Sequence, residues 1–186
     1  MPVSFISDAF HFLWMYIRQY YGLMIFLAAF VVCYILLMHR PNSPLFNKLR
    51  EPTALLGFGI EIVTIVYFTL MFRDSSSAHS YELELFWSYK EWIIHHNAAL
   101  GMEILNNILL FFPLGFIMTD AFRKCPLRIV CLVSLILSGA VECCQLIFRL
   151  GLFEFDDILN NVLGAVLGWC VFHLLKNLRS RKRKRK

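Results

Sequence analysis

VECCQLIFRLGLFEFDDILNNVLG, residues 141–164, decides how this chain is read. Apolar runs stand on both sides of it. Yet it holds Glu142, Gln145, Arg149, Glu154, Asp156, Asp157, Asn160 and Asn161. If the flanking runs are membrane helices, two acids and two amides open the second of them. An acid at the centre of a bilayer costs about 2.5–3.5 kcal/mol on insertion scales, so such residues need a reason to be there.

The composition makes those runs membrane helices. Of 186 residues, 59% are hydrophobic and 17% charged, and the mean hydropathy is +0.62. Soluble domains sit near about 45–50% apolar. About 20 residues of helix cross the ~30 Å hydrocarbon core, and five segments are long enough. They run from about Tyr20 to Met38, Ala54 to Phe72, Ile104 to Phe122, Ile129 to Phe148 and Asp157 to Leu175. Before the first, residues 1–19 place Phe5, Phe12 and Tyr16 at helical spacing, with Ser4, Asp8, His11 and Arg18 opposite. That pattern predicts an interfacial amphipathic helix; an extension of the first span is the alternative. The expected fold is all-α: a polytopic bundle of about five transmembrane helices over 20–175, the interfacial helix at 1–19, and a basic tail at 176–186. No basic n-region precedes the first apolar run, so that span is expected to be its own insertion signal. The six cysteines show no framework spacing and read as free thiols at helix interfaces.

Lys and Arg set the orientation. The connections alternate between basic-rich (Arg40, Lys48, Arg50; then Arg123, Lys124, Arg128; then Lys176 onward) and basic-poor. Basic-rich segments face the cytoplasm, which predicts the N-terminus outside and the C-terminus inside. The final SRKRKRK suits anionic lipid on the cytoplasmic leaflet. No nucleic-acid partner is expected.

With that topology three distant groups share one depth, the outer leaflet: Asn107 beside Asn106 and Glu103, Glu142 with Gln145, and Asp156, Asp157, Asn160 and Asn161. Glu142, Gln145 and Arg149 fall at i, i+3, i+7, one helix face. Asp157, Asn161, Gly164 and Gly168 fall at i, i+4, i+7, i+11, again one face. Gly164 and Gly168 form a small-xxx-small pair that permits close helix approach. Each residue also has a plain structural reading. Asp156 is a natural N-cap for its own helix, and Asn107 can serve as interhelical glue. Glu61 stands toward the inner half, where a buried interhelical bond would account for it. His95 and His96 are adjacent, so they diverge on a helix and read as exposed loop residues. Pro113 should kink its helix and free a backbone carbonyl.

Three of these elements resemble motifs of the VanZ family, in the family's order. NILLFFPLG, Asn107–Gly115, resembles its N-x-x-x-F-x-P-x-G element. VECCQ carries E-x-x-Q as Glu142 and Gln145. FDDILNNVLGAVLG carries D-x-x-x-N-x-x-G-x-x-x-G as Asp157, Asn161, Gly164 and Gly168. FWSY, residues 86–89, resembles the residues that come after the family's N-L-x-P-F element, which is replaced here by ELELF. Glu154 stands where the family often has Asp. The resemblance implies a multi-pass protein of the bacterial cell membrane, linked to glycopeptide and especially teicoplanin resistance. It implies no agreed catalytic mechanism.

Several functions fit these residues. Asn107, Glu142, Gln145, Asp156, Asp157 and Asn161 would form an outer-leaflet site that binds or remodels an envelope component. Membrane lipid, a lipid-linked wall precursor and the glycopeptide itself are the candidate occupants. Alternatively, the carboxylates serve an enzyme acting on lipid; Glu142 and Asp157 would then be the pair to hold a divalent cation such as Mg²⁺ or Mn²⁺. No cofactor is otherwise expected, and no nucleophile motif, HExxH, CxxC or P-loop appears. A small transporter, a structural partner of another membrane protein, and a purely structural lock complete the alternatives. Oligomeric state is open.

Overall fold

The computed structural model describes residues 44–70, 80–122 and 125–184. The expected first span and the interfacial helix lie outside them, so neither is described further. The elements are α1 (Pro44–Leu70), β1 (Ser80–Glu82), α2 (Trp87–Ile94), α3 (Ala98–Ala121), α4 (Leu127–Phe148), β2 (Leu152–Glu154) and α5 (Phe155–Lys184). Apart from the first three residues of α1, they belong to one compact unit, Asn47–Lys186. Four stretches are long and apolar enough to cross a membrane: Glu51–Leu70, Ala98–Ala121, Leu127–Phe148 and Phe155–Leu178. They match the last four expected spans, and the fold is an all-α membrane bundle.

Several boundaries differ from expectation: α1 begins at Pro44 rather than near Ala54, and α5 runs past Leu175 to Lys184. α3 begins at Ala98 rather than near Ile104, because Ala98, Ala99 and Leu100 are good helix formers that a hydropathy window undervalues. Asn107 therefore sits about 13 Å into its helix, at 1.5 Å per residue. The connection before α3 also has structure of its own. Ser80–Glu82 pairs in parallel with Leu152–Glu154, Tyr81 opposite Phe153, and Trp87–Ile94 forms a two-turn helix. The Trp92 indole lies over Gly101, leaving no room for a Cβ there, and so fastens α2 to α3.

The core lies between α3 and α5. Phe111, Leu114, Ile117 and Ala165 are fully buried there, while Leu132, Leu135, Ile136, Leu163 and Leu167 remain exposed for lipid. The two helices approach backbone to backbone. A Cβ on Gly164 would collide with the Ile108 carbonyl, one on Gly168 with the Phe112 carbonyl, and one on Gly115 with the Ala165 carbonyl. Lipid tails are as apolar as leucine, so helix association in a bilayer relies on such close packing. Pro113 stands inside a continuous α3; lacking an N–H, it leaves the Leu109 carbonyl without its helical donor.

α4 ends where Arg149 turns left-handed at φ 57°. Its N–H and that of Leu150 return to the Gln145 carbonyl, the latter at 2.8 Å, a closure of the last turn typical of helix C-termini. Gly151, φ 140°, completes the reversal toward β2. Gly115→Ala is expected to destabilise the bundle by about 1–3 kcal/mol through overpacking. Gly139→Ala is expected to be neutral or stabilising, since a Cβ there meets nothing within 4 Å. Thermal unfolding of the purified protein in detergent would check the contrast; equal melting temperatures for the two variants would refute the close-approach account.

Candidate functional site

The polar residues gather at the end of the bundle where α1, α4 and the α3–α5 pair come together beneath α2. Asp157 and Asn107 face each other across the α3–α5 interface, the Asn107 Nδ2 donating to Asp157 Oδ1 at 2.6 Å. The same interface carries Gly164 about two turns deeper. Asn161 turns to α4, its Nδ2 donating to the Ser138 hydroxyl at 2.8 Å. On α4, Glu142 accepts from the Glu154 backbone N–H at 3.2 Å. Gln145 Nε2 donates to the Thr69 carbonyl at the end of α1, at 3.1 Å. All six sequence candidates are thus at one end, on helices facing one another. Arg149, expected on the Glu142–Gln145 face, instead caps α4 at the surface.

Asp156 does something its sequence position does not suggest. Rather than capping its own helix, it caps α2. Its Oδ1 accepts from the Phe86 N–H at 2.6 Å; its Oδ2 accepts from the Ser88 N–H at 2.9 Å and the Ser88 hydroxyl at 2.7 Å. Phe86, the N-cap of α2, has no capping side chain and is left-handed at φ 65°. The carboxylate from another helix supplies the missing acceptor, as an Asp N-cap would from its own chain position. Asp156 also sits in the first turn of α5, so the positive ends of two helix dipoles share one carboxylate. One turn on, Asn160 Oδ1 accepts a short hydrogen bond from the Tyr89 hydroxyl. Burial, then the nearby Asp156 carboxylate, pushes the Tyr89 phenol up from its ordinary value, which keeps it a donor.

The site is buried and acid-rich. Glu142, Glu154, Asp156 and Asp157 are each less than a tenth exposed. Four further amide atoms are buried with no hydrogen-bond partner in the protein: the donors Asn106 Nδ2 and Asn160 Nδ2, and the acceptors Gln145 Oε1 and Asn161 Oδ1. Leaving such an atom unpaired costs about 1–3 kcal/mol. Among the described residues no three His, Cys, Asp or Glu side chains gather in a metal-holding arrangement. Glu61 is also buried, with Oε1 unpaired, but lies one turn from Phe58, whose ring meets Phe122 at the far end of α3. It does not join the cluster. His95 and His96 are exposed; His95 Nε2 lies 3.7 Å from the Glu91 carboxylate at the surface.

Sequence reading missed Thr69, Ser88, Tyr89 and Ser138 as partners. Ser138 was within reach: Ser134, Ser138, Glu142 and Gln145 lie at i, i+4, i+8, i+11 and are all buried, so α4 has one small-and-polar face. Asp156→Ala is expected to free the start of α2. Hydrogen exchange at the Phe86 and Ser88 amides should speed up by about tenfold or more, the loss of charge-assisted bonds, with Asp156→Asn between the two. Unchanged exchange in the alanine variant would mean the carboxylate does not hold that helix.

The comparisons with known proteins agree with the three motifs. The family model described as VanZ/LLP1 matches residues 24–176. "Protein VanZ" of Enterococcus faecium is 28% identical over 72 residues, which cover 39% of this chain and 45% of that one. The match therefore spans less than half of this curated relative. No solved structure matches the chain. A family match over most of the chain, on a bundle of membrane-spanning helices, makes this a membrane protein that belongs to the VanZ/LLP1 family.

Proposed function

We propose that this protein acts in resistance to glycopeptides such as teicoplanin by holding the polar head of an envelope component in the Asn107–Glu142–Asp157 cluster. The observation that carries the reading is the set of four unpartnered buried amide atoms on α3, α4 and α5, the helices that also bring the buried carboxylates and Asn107 together. Two donors and two acceptors suit a head rich in hydroxyl and amide groups, such as that of a lipid-linked wall precursor. Binding would pair them and recover the cost of their burial. The orientation follows the charge rule: Lys176 and Arg181 stand at the far end of α5, which faces the cytoplasm. The cluster then lies at the depth of the outer leaflet, the side on which wall precursors and drug meet. Occupying or remodelling the precursor there changes what the drug encounters.

A carboxylate-based enzyme or a divalent cation between Glu142 and Asp157 is the competing reading. The bonding pattern supports binding instead. Asp157 accepts from an amide side chain and Glu142 from a backbone amide, which orders the acids as hydrogen-bond acceptors. Glu142→Gln and Asp157→Asn, expressed to wild-type level, are each expected to lower teicoplanin resistance, with about tenfold weaker ligand affinity for a lost charge-assisted bond. Unchanged susceptibility in both strains would remove these acids from the mechanism. Lower protein stability with full resistance per surviving molecule would show the cluster to be a structural lock.

A further inference from the structure

A second site lies at the opposite end of the bundle. There the end of α3, the start of α4 and the stretch of α5 from Trp169 to Lys176 line an open cleft of about 280 Å³. Pro126, Trp169 and Phe172 give it apolar walls, and Thr119, His173 and Lys176 give it polar ones. Trp169 is fixed by its Nε1–H, which donates to the Cys125 carbonyl at 3.1 Å. Its ring lies 4.2 Å from that of His173. The Thr119 hydroxyl donates to the Gly115 carbonyl at 2.6 Å.

Donor capacity and positive charge are left unspent around this cleft. His173 Nε2 is buried and has no partner in the protein. Lys176, three residues further along α5, is exposed at the mouth. Pro126 is the N-cap of α4 and brings no side-chain acceptor to the first-turn amides of that 22-residue helix. A helix N-terminus favours an anion through its free N–H groups and its dipole. Asp120, the acid next along α3 from Thr119, is buried and already engaged. We propose that the cleft binds a phosphate-bearing anion, with His173 Nε2 and Lys176 Nζ donating to its oxygens beside the start of α4. The aromatic and proline walls fit the glycerol and first methylenes of a lipid carrying that phosphate; a soluble phosphate compound shares the same recognition. The cleft is separate from the polar cluster and independent of what that cluster binds.

Calorimetric titration of the full chain, purified in a neutral detergent, tests this with short-chain phosphatidylglycerol and inorganic phosphate as separate probes. At least one is expected to bind. His173→Gln and Lys176→Gln should each weaken it by about tenfold, as for a lost charge-assisted donor, while Arg181→Gln, further along α5, should change it by less than about twofold. Lys176 is exposed, so its variant keeps the test valid if His173→Gln does not fold. Binding of phosphatidylglycerol alone identifies a lipid headgroup; equal binding of inorganic phosphate identifies a soluble source. The proposal is overturned if neither probe binds, or if Lys176→Gln binds like the wild type. It is equally overturned if Arg181→Gln weakens binding as much as Lys176→Gln, since general attraction to the basic tail would then suffice.

Discussion

Everything at the polar end depends on how closely α3 and α5 approach. Gly115, Gly164 and Gly168 let one backbone lie on the other. That spacing brings Asn107 within hydrogen-bonding distance of Asp157, a short reach for two short side chains. A larger residue at any of the three glycines pushes the helices apart, and the amide–carboxylate bond lengthens with them. In water such a bond could be replaced by solvent. In the bilayer core no water stands ready to replace it, so packing and polar pairing stand or fall together. The small-residue stripe is thus part of the site, although its glycines bring no polar side chain to it.

Asp156 solves a different problem. A two-turn helix such as α2 is too short to be stable alone, because nucleation is costly and few bonds follow. It exists because a buried carboxylate caps it and because Trp92 rests on Gly101. Asp156 and Asp157 are neighbours in sequence yet divide the work. One turns up to hold the covering helix; the other turns inward to Asn107 on α3. Asn160 repeats the upward contact through Tyr89. The first turn of α5 therefore joins the helix above the cluster to α3 beside it.

The bundle and the polar cluster were legible in the sequence because helical periodicity is rigid. Once residues 155–178 are a helix, Asp157, Gly164 and Gly168 must share a face, and all three do face α3. Glu142 and Gln145 were legible for the same reason. α2 was not, because its sequence, WSYKEWII, is half polar and its start signal lies 68 residues away in Asp156. No local rule reads a cap across that separation. The role of Asp156 is hidden for the same reason: an acid at a helix start looks the same whether it caps its own helix or another. Thr69 contributes only a backbone carbonyl, which no side-chain pattern can mark.

The cost structure of the site favours the proposed binding role over a purely structural lock. An interhelical hydrogen bond in a membrane is worth about 0.6 kcal/mol on average. Each unpaired buried amide atom costs about 1–3 kcal/mol. Asn161 makes one bond to Ser138 while leaving its oxygen unpaired. Gln145 bonds Thr69 on the same terms, and Asn160 bonds Tyr89. By those magnitudes a leucine at any of these positions would hold the bundle at least as well. Polar side chains half satisfied within the protein are what the proposed binding role would complete.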